Sequence, residues 1–99
     1  MNFEPKITQV IEQIITVCTK MGNIDEIILY GSRAKGTHME KSDLDIALVG
    51  TNIDIDLLRD EVDLINTLLK IDLVDIDNCK NERLLQEVKK DGITLYRKI

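Results

Sequence analysis

Apolar residues recur with helical spacing over the first twenty positions. Ile7, Val10, Ile11, Ile14, Ile15 and Cys18 form one continuous stripe. Pro5 suits the first turn of such a helix, where its missing N–H goes unused, and Gly22 with Asn23 supplies a stop. The pattern then changes. Glu26 to Tyr30 is a short apolar run ended by Gly31, which predicts a buried strand. Gly31 to Gly36 predicts a turn holding at most one turn of helix, and Thr37 to Ser42 is polar and loop-like. Leu44 to Val49 predicts a second strand, closed by Gly50, Thr51 and Asn52. From Asp54 to Lys70, Leu58, Val62, Ile65 and Leu69 share one helical face. Asp54, Asp56, Asp60 and Glu61 crowd its first turns, where the helix dipole favours acids. Ile71 to Ile76 predicts a third strand. Lys80 or Asn81 opens a last helix carrying Leu84, Leu85 and Val88, Gly92 stops it, and Ile93 to Tyr96 forms a short final strand.

This order predicts an α+β fold, a small mixed sheet with helices packed mainly on one face. Ser32 to Ser42 is too short for a parallel crossover, which needs a dozen or more residues. The first two strands are therefore expected to be antiparallel neighbours. No internal repeat or linker divides residues 1–99, so a single domain is expected.

Composition narrows the function classes. Ile, Leu and Val make up a third of the chain, enough for a core without Trp. The longest uncharged stretch runs only from Ile46 to Ile53, whereas a spanning helix needs about 20 apolar residues. No cationic segment leads into an apolar run at the N-terminus, so no membrane association and a cytoplasmic location are expected. A net charge of −5 disfavours extended nucleic-acid binding but leaves room for a nucleotide held locally. Cys18 and Cys79 lack metal or redox spacing; Cys18 belongs to the apolar stripe. His38, the one histidine, is expected to be a solvated loop residue.

Candidate chemistry gathers between Gly31 and Asp72. Asp43 and Asp45, two apart at the start of a strand, send both carboxylates to the same face. Such a pair repels itself unless a cation lies between. Mg²⁺ prefers oxygen ligands and is typically held by one or two carboxylates plus substrate phosphates. Taken alone, Asp-x-Asp is most simply a solvated strand edge; the turn upstream changes that weighing. Gly31 lets a ligand approach the backbone, and Ser32 offers a hydroxyl and free N–H groups to a phosphate. Arg33 and Lys35 add two cations beside it, against the simpler reading as solvated loop cations. A P-loop does not fit, because Thr37 rather than Lys follows Gly36. On the third strand, Asp72 shares one face with Val74 and Ile76, and Asp75 and Asp77 share the other with Ile71 and Leu73. Asp72 among apolar neighbours suggests a partner, while Asp75 and Asp77 are expected in solvent at the strand exit. Periodicity alone leaves the choice open.

Gly31-Ser32, ten intervening residues and Asp43-Leu44-Asp45 resemble the signature of the minimal nucleotidyltransferases of the polymerase-β superfamily. The likeness continues through Ile71 to Asp75 and Lys90 to Tyr96. It implies a polymerase-β-like nucleotidyltransferase fold, ATP as substrate and Mg²⁺ as cofactor. Asp43, Asp45 and Asp72 would be catalytic metal ligands, with Gly31, Ser32, Arg33 and Lys35 holding the triphosphate. It further implies an antitoxin that transfers AMP to a tyrosine of a HEPN-domain ribonuclease toxin. Two other readings compete: a catalytically silent antitoxin acting by binding alone, and transfer to a small molecule such as an aminoglycoside. Tyr30 and Tyr96 are expected to be packing residues.

Overall fold

The computed structural model describes residues 3–21 and 23–99. Helix α1 (Pro5–Lys20) begins with Pro in its first turn and buries Ile7, Val10, Ile11, Ile14 and Cys18 of the predicted stripe, with Ile15 half-buried at its margin. Gly22, expected to end it, lies outside the described residues. Strand β1 (Ile24–Tyr30) follows, then one short helical turn α2 (Ser32–Lys35) and strand β2 (Leu44–Gly50). Helix α3 (Ile55–Val62) leads to β3 (Ile71–Asp75), and α4 (Glu82–Asp91) to β4 (Ile93–Arg97).

The strands form one mixed sheet in the order β3-β2-β1-β4. β1 is antiparallel to both β2 and β4, and β2 is parallel to β3 across the α3 crossover. Alternation sorts the side chains between two faces. Ile27 and Leu29 of β1, Leu44, Ile46 and Leu48 of β2, and Leu73 of β3 join α1 and α3 in the main core. Ile28, Tyr30, Ala47 and Val74 look the other way, where Leu84 and Val88 of α4 pack on them. Ala47 is fully buried, and its small side chain lets α4 sit close to the sheet.

Two elements differ from expectation. The helix predicted over 54–70 ends at Val62. Leu64 and Ile65 donate to Glu61 and Val62, three residues back, so the coil tightens and stops. Asn66 and Thr67 follow, poor helix formers, and the Thr67 hydroxyl accepts from the Leu69 amide at 3.2 Å. Ile65 is still buried in the core, so the predicted apolar face partly survives the loss of the helix. The third strand stops at Asp75 rather than Ile76, giving way to a 3₁₀ turn over Ile76–Asn78. Asp75, expected in solvent, is buried. Its carboxylate accepts from the Asp77 amide at 3.2 Å and the Asn78 side-chain amide at 2.8 Å, capping that turn.

Helix α4 begins where Asn81 accepts a hydrogen bond from the Leu84 amide at 3.1 Å. Asn81→Ala is expected to lower stability by about 1 kcal/mol in a urea titration, with an unchanged slope. No change in the midpoint would mean that the cap contributes nothing.

Candidate active site

β2 and β3 run side by side in a register that sets Asp45 directly beside Asp72. On its other flank Asp45 is paired with Tyr30 of β1. Alternation puts all three side chains on the sheet face that carries α4. Asp43 lies just before β2, with its carboxylate near enough to act on Asp45. The fold thus sets Asp45 beside Asp72, with Asp43 at the entry to the same strand as Asp45. Asp72 shares the Asp45 face, whereas Asp75 is engaged by its own turn.

Asp45 feels this crowding. Burial pushes its carboxyl above the ordinary range, and the charges of Asp72, Asp43 and Glu87 push the same way. Lys70 opposes them, its ammonium 3.7 Å from Asp72. Tyr30, only 8% exposed, is pushed up to about 12, first by burial and then by Asp45, Asp72 and Glu87. A buried phenol held neutral in this way suits packing better than a role as acceptor. Tyr96 is half-buried against the main core, and His38 is exposed in its loop, both as expected.

The turn after β1 closes over this cluster. Gly31 has φ +76° and ψ −157°, a conformation reserved for glycine. A Cβ at Gly31 would fall on the Asp45 carboxylate. Ser32 opens α2 and is half-buried; Gly36 ends α2 in a left-handed conformation. The two cations of the turn are placed differently. Lys35 reaches across to α4, its ammonium 3.0 Å from Glu87. Arg33 is buried, and its guanidinium donates to the carbonyls of Ser42 and Glu40, each at 3.0 Å.

Glu87 and Lys70 join the site without a signal in the sequence. Glu87 stands three residues after Leu84 and one before Val88, at the margin of the α4 stripe, where helical spacing alone marks it as an ordinary solvated acid. A depression of about 630 Å³ lined by Ile7, Val10, Leu68 and Leu69 lies away from the acids, along α1.

The donor chemistry suits a hard divalent cation: Asp45 and Asp72 stand side by side on neighbouring strands, with the side-chain-free Gly31 against the Asp45 carboxylate. Among the described residues no three His, Cys, Asp or Glu side chains stand close enough together to hold a metal ion by themselves. Like charges repel one another across the cluster, and oxygen atoms from a substrate would have to complete the shell.

Residues 12–98 match the family described as Polymerase beta, Nucleotidyltransferase. The chain belongs to that nucleotidyltransferase family. A solved toxin–antitoxin structure with AMP-PNP is similar at 28% identity, with a TM-score of 0.74 over 89% of this chain and 73% of that one. An MntA toxin–antitoxin variant in which two aspartates are replaced by glutamate is similar at 26% identity, with a TM-score of 0.73 over the same shares. A "putative protein adenylyltransferase" of Methanocaldococcus jannaschii is 49% identical over 39 residues. That match spans 39% of this chain and 38% of the archaeal protein. These likenesses bear out the expected α+β nucleotidyltransferase fold. Among the described residues no helix is long and apolar enough to cross a membrane.

Proposed function

We propose that this nucleotidyltransferase is the antitoxin of a toxin–antitoxin pair and transfers AMP from ATP to a tyrosine of a HEPN-domain toxin. The observation that carries this reading is the register of Asp45 beside Asp72, with the side-chain-free Gly31 turn against Asp45. The likeness to a toxin–antitoxin structure holding AMP-PNP supports the nucleotide and the partner.

Asp43, Asp45 and Asp72 would hold Mg²⁺, and Gly31 and Ser32 would cradle the triphosphate through backbone N–H groups and a hydroxyl. When bound, the metal would stabilise the attacking and leaving oxygens of an in-line displacement. The acceptor oxygen bonds to the α-phosphorus, the bond to the bridging oxygen breaks, and pyrophosphate leaves. The acceptor proton would pass to Asp72 or to solvent. Lys35 would exchange Glu87 for a phosphate, because its exposed ion pair is readily given up.

Intact-mass measurement of a HEPN-domain partner, incubated with the chain, ATP and Mg²⁺, tests the reading. Gain of one or more AMP units, abolished by a chelator, is the expected result. Neutralisation of the partner without any mass gain would replace it with inhibition by binding alone.

A further inference from the structure

Arg33 differs from the other cations around the acidic cluster. Lys35 and Lys70 are exposed and paired with carboxylates. Arg33 is 8% exposed, and among the described residues no carboxylate lies within ion-pair distance of it. Its Nε donates to the Ser42 carbonyl and one terminal nitrogen to the Glu40 carbonyl, both at 3.0 Å. These carbonyls belong to the loop that feeds the chain into Asp43. The same loop is closed on itself by the Ser42 amide donating to the Met39 carbonyl at 3.0 Å and the Met39 amide donating to the Ser42 hydroxyl at 2.8 Å.

We infer that Arg33 is a positioning residue: by gripping Glu40 and Ser42 it sets the path on which the loop delivers Asp43 and Asp45 to the site. The argument is one of shape. A planar guanidinium presents several N–H donors in a rigid fork and spans two carbonyls two residues apart. An ammonium at the same position is a point charge and satisfies one. Burial of the cation without an acid is offset by these charge-assisted bonds, which ties its burial to the loop's conformation. Arg33 therefore acts on the reaction through Asp43 and Asp45, whereas Lys35 and the Gly31 turn are the proposed nucleotide contacts.

This inference rests on the proposed transferase reading, and Arg33→Lys separates it from a direct phosphate contact. Tryptic cleavage after Lys41 is expected to accelerate about fivefold, as the loop opens more often. The kcat for AMP transfer is expected to fall about tenfold, with KM for ATP within about twofold of wild type. A raised KM with unchanged kcat and unchanged cleavage would overturn the inference in favour of phosphate binding. If Arg33→Lys does not fold, the wild-type protein decides: the Arg33 Nε–H resonance should stay in place on adding AMP-PNP with Mg²⁺. Its displacement by the nucleotide would overturn the inference. If wild-type protein transfers no AMP, the functional reading fails, while cleavage and resonance still test the loop grip.

Discussion

Asp45→Asn is expected to abolish AMP transfer, by roughly three orders of magnitude in kcat/KM, while melting above wild type at pH 7. The two effects share one cause. Asp45 stands among Asp72, Asp43 and Glu87, in partial burial that disfavours its charge. Its folded pKa is raised, so the folded state binds this proton more tightly than the unfolded chain does. The resulting stabilisation is present below the ordinary carboxylate pKa and is lost as pH rises through the raised value. At neutral pH the ionised group therefore weakens the fold, and an amide of the same shape removes that repulsion.

The sign can be read in melts without metal. The advantage of Asp45→Asn should be fullest at pH 7 and shrink as pH falls through the carboxylate range. Mg²⁺ should raise the melting temperature of wild type more than that of the variant. A variant that is inactive and also less stable at pH 7 would point to a structural role for Asp45. A variant that still transfers AMP would remove Asp45 from the site altogether.

The polar positions of the site are visible in the sequence to different degrees. Asp45 is legible because strand alternation is strict and fixes its face, whereas Asp43 falls just before β2, where alternation no longer applies. Asp72 is half legible: alternation separates it from Asp75, but which face meets Asp45 depends on a parallel register that no local pattern encodes. Asp75 misleads because the cap of a 3₁₀ turn resembles an exposed strand exit in sequence. The apolar pattern overextends α3 because Ile65 keeps its place in the core after the helix has ended. Arg33 is expected from the sequence as a triphosphate contact, and its grip on the loop is invisible there, since its acceptors are backbone carbonyls seven and nine residues away. Backbone acceptors carry no residue signature.

Gly31→Ala is expected to lower AMP transfer about a hundredfold and to cost about 1–3 kcal/mol of stability. Two separate demands meet at this position. With φ +76° and ψ −157°, the backbone occupies a region that is essentially glycine-only. A methyl group there would also fall on the Asp45 carboxylate, forcing either the turn or that side chain aside. Gly36→Ala separates the two demands. Gly36 has φ +77° but nothing within 4 Å of an added Cβ, so that variant meets the backbone penalty alone. It should lose about 1 kcal/mol of stability and keep AMP transfer within about threefold of wild type. Equal losses of activity in the two variants would assign the Gly31 effect to turn strain in general. A Gly31→Ala protein that transfers AMP normally would show that Asp45 can move aside without harm, and the close approach of Gly31 to its carboxylate would then carry no catalytic meaning.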